Sequence, residues 1–342
     1  MKKVAVLTGG GDSSGINALI RSIVVNATKH NLEILGIKEG WRGLLEENFQ
    51  ELNMENTEGI NRRAGTILKT SRTNPLKEEG QVEHISEVIK KHNIDALIAI
   101  GGDDTLGVAG YLHTQGLPVV GIPQTIDNDI YGTEYCVGFN TAVNQVLTAI
   151  EAMRESNISH QKGMIVEVMG RESGWIAMYA GLIAEADYVM IPEHPLNFDH
   201  LIDSLKAKKA QGKEACLVIV SEGIEIDGVD RGEAVDAFGN KALAGISYAV
   251  AEILKQKTGW DKRIQVLGHY QRGGQPTAYE LRNSIEMGQY AVQLLVEGNL
   301  GNMVARIDDQ LTTVPLSEIR GKKGPISKKF EAMAKQQGIF GI

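Results

Sequence analysis

Cysteine is nearly absent: the chain of 342 residues has two, Cys136 and Cys216, in unrelated contexts and without metal-ligand spacing. That excludes a disulfide scaffold and a cysteine-built zinc site, and it predicts two buried thiols in a reducing compartment. Aromatics are scarce at 5%, and no apolar run reaches the length of a transmembrane helix. Residues 1–7 run straight into a strand pattern and a glycine loop, with no stretch apolar enough for a signal peptide, so a cytoplasmic protein is expected. Charge of one sign is never concentrated. The net charge of −8 is spread without acidic or basic blocks, which argues against nucleic acid or an anionic membrane as the main partner. A local cluster of arginines and backbone amides can still bind phosphate. At about 150 residues per domain, the length suggests two domains.

Glycine, by contrast, is abundant, with 39 residues. Apolar runs alternate with helical patterns along the chain. Strands are predicted at 4–8, 33–37, 96–100, 118–122, 164–168, 188–191, 216–220 and 264–267. Helices are predicted at 16–29, 85–92, 106–112, 141–155, 175–186, 200–210, 242–257 and 280–297. This alternation predicts an α/β fold of mainly parallel sheets wrapped by helices, with a domain change near Gly138. Ligands in such sheets sit beyond the C-terminal ends of strands.

Five loops at strand ends carry candidate chemistry. Gly101-Gly102-Asp103-Asp104-Thr105 breaks a buried strand on two glycines and opens a helix, leaving backbone N–H groups aimed at one spot that attracts phosphate. An acid there disfavours a bare phosphate, so Asp103 suggests Mg²⁺ bridging carboxylate and phosphate. Thr8-Gly9-Gly10-Gly11-Asp12-Ser13 lets a phosphate approach the backbone, or is a plain turn capped by Asp12 or Ser13. In Gln124-Thr125-Ile126-Asp127-Asn128-Asp129, an extended backbone would place Thr125, Asp127 and Asp129 on one face. Clustered carboxylates there suit a general base, and the bland alternative is a polar turn. Met169-Gly170-Arg171 offers a guanidinium fork for phosphate, or a surface arginine at a helix start. Gly268-His269-Tyr270-Gln271-Arg272, with Arg263 upstream, could clamp a second phosphate, although a lone histidine is more often a neutral core residue. Arg72 and Glu222 are smaller signals, and Trp41 reads as structural. Phosphate-type loops spread over both halves suit phosphoryl transfer between two phosphorylated ligands.

In this order, Gly-Gly-Asp-Asp-Thr, Pro-Gln-Thr-Ile-Asp-Asn-Asp, Glu-Val-Met-Gly-Arg and Gly-His-Tyr-Gln-Arg-Gly-Gly resemble the 6-phosphofructokinases of the large bacterial-type superfamily, nearly end to end. The resemblance implies two Rossmann-like lobes with the active site between them: 1–138 plus about 271–321 for the phosphoryl donor and Mg²⁺, and 139–270 plus about 322–342 for the sugar phosphate. It implies phosphoryl transfer to the 1-hydroxyl of fructose 6-phosphate. Asp127 matches the general base, with Thr125, Ile126 and Asp129 beside it, and Asp103 matches the Mg²⁺ ligand. Gly10, Gly11, Arg72, Thr73, Gly102, Asp104, Thr105 and Gln124 match the donor site. Met169, Gly170, Arg171, Glu222, His269, Tyr270, Gln271 and Arg272 match the sugar-phosphate site. Lys162 and Arg263 match residues that reach across from a neighbouring subunit, which implies a tetramer or dimer.

Three departures from the family pattern refine this expectation. Asp104 stands where members that use ATP carry glycine. A carboxylate near the α-phosphate would repel it by about 4 kcal/mol at about 4 Å and an effective dielectric near 20. Pyrophosphate escapes that penalty, so a pyrophosphate-dependent, near-reversible enzyme is expected, with ATP as the rival donor. Gln124 replaces the usual lysine of pyrophosphate users and loses a charge-assisted bond of roughly 1.5–3 kcal/mol unless another cation compensates. Lys162 replaces arginine and loses the bidentate fork, which leaves room for a different sugar phosphate such as sedoheptulose 7-phosphate. Arg21, Arg154 and Lys213 match effector-binding positions. Asp187, Val25 and Met54 depart from them, so a structural role is expected for the set. A non-catalytic sugar-phosphate or nucleotide sensor is the remaining alternative: Asp127→Ser would cost an enzyme most of its activity while keeping sugar binding, and would change little in a sensor.

Overall fold

The computed structural model describes residues 1–229 and 245–340. The chain separates into two compact units, Met1–Thr141 with Arg272–Gly324, and Ala142–Gln271 with Pro325–Ile342.

The first unit is built on a seven-stranded sheet. Its strands are β1 (Lys3–Thr8), β2 (Glu33–Ile37), β3 (Phe49–Leu52), β4 (Ala96–Gly101), β5 (Val119–Pro123), β10 (Asn302–Ile307) and β11 (Gln310–Pro315), in the order β11-β10-β5-β4-β1-β2-β3. The five inner strands are parallel, and β3 and β11 pair antiparallel at the two edges. Helices α1 (Ile16–Lys29), α2 (Gly40–Leu45), α3 (Gln81–Lys91), α4 (Asp103–Thr114) and α9 (Ala278–Glu297) belong to this unit. Every residue of β4 and β5 is buried, as their unbroken apolar sequences require of strands covered on both faces. Trp41 is 2% exposed within this core, together with Leu7, Leu97 and Leu112.

The second unit has a four-stranded parallel sheet of β6 (Gly163–Val168), β7 (Tyr188–Met190), β8 (Leu217–Ser221) and β9 (Lys262–Val266), in the order β7-β8-β6-β9. Its helices are α6 (Trp175–Ile183), α7 (Phe198–Ala210), α8 (Ile246–Thr258) and α10 (Lys328–Gln336), and α5 (Phe139–Ser159) carries the chain into it. The carboxylate of Glu167 accepts from the backbone N–H of Gly245 and of Ser247, at 2.7 and 2.9 Å, and so caps α8.

Register decides which loops meet. Thr8 pairs with Ile100 and Gly101 with Pro123, so the loops after β1, β4 and β5 leave one sheet edge side by side. In the second unit Val168 pairs with Ser221 and Glu167 with Val266, which aligns the loops after β6, β8 and β9.

Eight predicted strands are present within a residue or two. Three more, β3, β10 and β11, and two helices, α2 and α10, went unpredicted. The β10–β11 turn is Asp308-Asp309, both at positive φ, a hairpin turn without the usual Asn-Gly or Asp-Gly signature. Helix α4 starts at Asp103 rather than Leu106, which places both acids and Thr105 in its first turn. The start of the helix expected at 242 lies outside the described residues. Both cysteines are free and buried, as expected.

Candidate active site

The first unit assembles the glycine loop, the α4 N-terminus and the Gln124–Asp129 segment. The N–H of Gly9 donates to Ile100 O at 2.9 Å, and the N–H of Gly10 donates to Ser71 O at 3.2 Å. Thr70 Oγ1 donates to Gly10 O at 2.7 Å. These bonds fasten the Thr70–Thr73 loop to the glycines and set the exposed Arg72 beside them. Thr105 acts as a wedge. A Cβ added at Gly9 would lie 2.5 Å from its Oγ1, and one at Gly101 would lie 2.6 Å from its Cβ, so both positions exclude side chains. Neither Asp12 nor Ser13 caps α1, whose N-cap is Gly15, and the plain-turn reading of this loop therefore fails in that respect.

Gln124 is 2% exposed, and its amide nitrogen is engaged within the protein while its Oε1 is buried without a hydrogen-bond partner. Its Nε2 donates to Gly11 O at 3.1 Å and to Ser13 Oγ at 3.0 Å. It ties down the glycine loop instead of offering a donor to a ligand. Arg272 also joins this loop: Nη1 donates to Asp12 O at 2.9 Å, and a Cβ at Gly11 would lie 2.3 Å from it. The expected grouping of Arg272 with the sugar-phosphate residues is not what this contact provides.

The Thr125–Asp129 segment is not extended. It turns at Ile126-Asp127, and Asn128 has φ 52°, so Thr125, Asp127 and Asp129 do not share a face by strand alternation. The turn is held internally. Asp127 N–H donates to Thr125 Oγ1 at 3.2 Å, and Asn128 Oδ1 accepts from Cys136 N–H at 2.8 Å. Asp129 reaches Asp103 by way of a residue that the sequence reading missed. Lys323 Nζ donates to Asp103 Oδ2 at 2.9 Å and to Asp129 Oδ2 at 2.8 Å. Burial opposes the charge of Lys323, but Asp129 and Asp103 outweigh it and hold the ammonium above its ordinary pKa. Asp104 is exposed next door, and its N–H donates to Asp103 Oδ1 at 3.0 Å.

No group of three or more His, Cys, Asp or Glu side chains suited to a metal occurs among the described residues. Asp103 and Asp129 converging on one cation are nevertheless a hard-oxygen pair. That set suits Mg²⁺ shared with phosphate oxygens rather than caged by protein alone.

Glu280 is a second residue that the sequence reading missed. It is fully buried and accepts from Tyr135 Oη at 2.7 Å, Gly138 N–H at 2.9 Å, Thr141 N–H at 3.2 Å and Thr141 Oγ1 at 3.2 Å. It anchors the chain that follows the Asp127 turn. Burial raises its pKa from 4.5 to about 7 against those donors.

In the second unit the loops after β6 and β8 lock together through backbone. Gly170 has φ +126°, and its Cβ would lie 2.1 Å from Ser173 O; a Cβ at Gly223 would lie 2.0 Å from Arg171 O. Ser221 Oγ donates to Gly170 O at 2.8 Å, and Glu222 N–H donates to Val168 O at 2.8 Å. Arg171 and Glu222 are thereby held on adjoining loops. Arg171, Glu172, Glu193, His194 and Gly223 line a cavity of about 580 Å³. Gln271, 1% exposed, joins the third loop: Nε2 donates to Gly268 O at 3.1 Å, and Oε1 accepts from Met169 N–H at 3.3 Å. His269 and Tyr270 are exposed, so the core-histidine reading of His269 is overturned.

Lys162 and Arg263 stand apart from these loops. They lie at the N-terminal ends of β6 and β9, where Gly163 pairs with Lys262 and Met164 with Arg263. A strand of that length separates them from Arg171 by about 20 Å. Lys162 Nζ pairs with Asp261 Oδ2 at 2.5 Å, and Arg263 Nη1 donates to Ser156 Oγ at 2.9 Å. The residues at effector-like positions are engaged internally. Arg21 Nη1 donates to Met54 O at 2.6 Å, Arg154 Nη2 to Ala184 O at 2.8 Å, and Lys213 pairs with the buried Asp187 at 2.7 Å.

The chain is similar to known proteins over almost its whole length. The family model for phosphofructokinase matches residues 3–295. A pyrophosphate--fructose 6-phosphate 1-phosphotransferase from Dictyoglomus thermophilum is 41% identical, with 96% of each chain covered. An ATP-dependent 6-phosphofructokinase from Thermotoga neapolitana is 39% identical, covering 98% of this chain and 99% of its own. A solved pyrophosphate-dependent phosphofructokinase from Nitrosospira multiformis aligns with a TM-score of 0.84 at 21% identity, over 99% of this chain and 92% of its own, and shows the shared fold. With loops of the expected composition carried on one mainly parallel and one wholly parallel sheet, the chain belongs to the phosphofructokinase family.

Proposed function

We propose that the protein transfers a phosphoryl group from pyrophosphate to the 1-hydroxyl of fructose 6-phosphate in a Mg²⁺-dependent, near-reversible reaction. The observation that carries the choice of donor is Asp104, exposed on the first turn of α4 directly after the Gly101-Gly102 break. A carboxylate at that helix start repels the additional phosphate of a nucleoside triphosphate and leaves pyrophosphate unpenalised.

The residues divide the work. Asp127, half-buried in its turn with Thr125 holding its backbone, accepts the proton of the attacking 1-hydroxyl. Arg72 and Arg171 spread the charge of the transferring group, and the backbone at Gly10, Gly11 and Gly102 receives the donor's phosphate oxygens. Asp103, with Asp129 beside it, would hold Mg²⁺, which supplies charge neutralisation at the donor when bound. Met169, Gly170, Glu222 and His269 position the sugar. Lys162 and Arg263 serve a neighbouring subunit's sugar phosphate in a homo-oligomer, in keeping with their place at the far end of the sheet. Sedoheptulose 7-phosphate is a second acceptor to test, because lysine replaces the arginine fork at position 162. Rates are mostly a matter of positioning and electrostatics.

The rival donor is ATP. It is favoured by relatives named ATP-dependent, whereas Gln124 weakens the case for pyrophosphate without favouring ATP. Initial rates with fructose 6-phosphate and Mg²⁺, taking pyrophosphate, ATP and ADP in turn, decide the matter. Turnover with pyrophosphate, and a gain in ATP use of at least about tenfold in Asp104→Gly, are expected. Turnover with ATP alone in the unaltered chain would refute the role given to Asp104.

A further inference from the structure

The Asp103–Lys323–Asp129 arrangement is built, not incidental. Lys323 is clamped through its backbone. It forms an antiparallel bridge with Ile130, and the N–H of Gly324 donates to Asp129 O at 2.7 Å. A Cβ at Gly324 would lie 2.7 Å from Ile130 O, so the two segments touch through backbone. On the other side Lys322 Nζ sits 4.6 Å from the centre of the Tyr131 ring. Lys323 is therefore delivered to the two carboxylates by a fixed main chain. Its Nζ stands where Asp103 Oδ2 and Asp129 Oδ2 converge, the oxygens a divalent cation would share. Gln124, the other residue expected to supply donor-site polarity, is spent on Gly11 and Ser13.

We propose that Lys323 is the resident cation of the donor site and a positioning residue for its metal. It competes with a divalent cation for Asp103 in the free protein, and it pairs with phosphate once an anionic donor arrives. Two cations crowd two carboxylates unless further negative charge enters, so the metal binds weakly alone and tightly together with the donor. Lys323 also provides the positive charge that position 124 lacks. The inference rests on Asp103 as a metal ligand and is independent of which donor the enzyme prefers.

The test is Mn²⁺ binding to the full chain without sugar or turnover, followed by the paramagnetic signal of the free ion. Lys323→Met and the more polar Lys323→Gln should each bind Mn²⁺ at least tenfold more tightly than the unaltered protein, whereas Lys323→Arg should resemble it. Added inorganic pyrophosphate should tighten Mn²⁺ binding at least tenfold in the unaltered protein and far less in Lys323→Met. Far-UV circular dichroism and thermal melting establish that each variant is folded. If Asp103→Asn weakens Mn²⁺ binding but neither neutral Lys323 variant strengthens it, the role of Lys323 is refuted while the metal ligand stands. If Asp103→Asn leaves binding unchanged, or no form binds Mn²⁺, the metal assignment fails and the inference fails with it.

Discussion

Glu280 makes the stability of the protein depend on pH in a direction opposite to that of most carboxylates. Its folded pKa is about 7, against 4.5 for an ordinary glutamate, because complete burial disfavours the charge more than its four donors favour it. Between those values the folded chain holds a proton that the unfolded chain has released. Stability from this group is fully present below pH 4.5, falls as pH rises toward 7, and is level above it. At about 1.4 kcal/mol per pH unit, the loss across that window is about 3 kcal/mol.

Glu280→Gln isolates the effect, because the amide cannot titrate. The amide brings two N–H donors where the protonated carboxyl brings one O–H, into a site already lined by the N–H groups of Gly138 and Thr141, so the variant should be about 1–3 kcal/mol less stable than the unaltered protein at pH 5. Urea unfolding at pH 5, 6, 7 and 8 should show the gap closing or reversing by pH 8, by about 3 kcal/mol in all. A gap that stays constant across this range would mean that Glu280 is ionised in the folded state and that its four donors outweigh burial, contrary to the argument.

Two further outcomes are expected. Gly223→Ala would place a Cβ 2.0 Å from Arg171 O, backbone against backbone, so the Gly170–Ser173 loop must shift. A displacement on that scale should lower kcat/KM for the sugar phosphate roughly a hundredfold with little change in donor affinity, and an unaltered KM would dissociate this loop from sugar binding. If Lys162 serves a neighbouring subunit, mixing inactive Lys162→Ala and Arg171→Ala proteins after reversible dissociation should restore about a quarter of the unaltered activity, through hybrids with one intact site. No recovery, with hybrids confirmed by mass, would place both residues in one subunit's site.

Much of this molecule can be read from its residues, in proportion to how local the signal is. Helix α1 and strand β2 have their predicted limits because apolar periodicity alone sets them. The phosphate-type loops are legible because glycine beside an apolar run is a short-range pattern. Edge strand β3 and the β10–β11 hairpin carry no long apolar run and turn on Asp-Asp, so propensity does not announce them. Thr277-x-x-Glu280 has the spacing of a capping box, and Thr277 does cap α9, yet the Glu280 carboxylate serves Gly138 and Thr141 instead. Gln124 was legible as an atypical residue, but not as a tie to Gly11. Lys323 lies 194 positions from Asp129 in a lysine doublet like many surface pairs, and only the fold brings it to the carboxylates.

The discontinuity of the first unit has a consequence during biosynthesis. Strand β10, which pairs along β5, begins at residue 302, whereas β5 ends at residue 123. A ribosome adding about 5–20 residues per second takes on the order of ten seconds or more to supply that partner. Throughout that interval a nascent sheet can present the wholly apolar β5 as an open edge, the geometry that recruits strands from other chains. Lys323 emerges later still, so Asp103 and Asp129 are among the last groups in the unit to be neutralised. Chains stalled before residue 302 would carry both defects at once, which makes the closing hairpin a natural checkpoint between productive folding and aggregation.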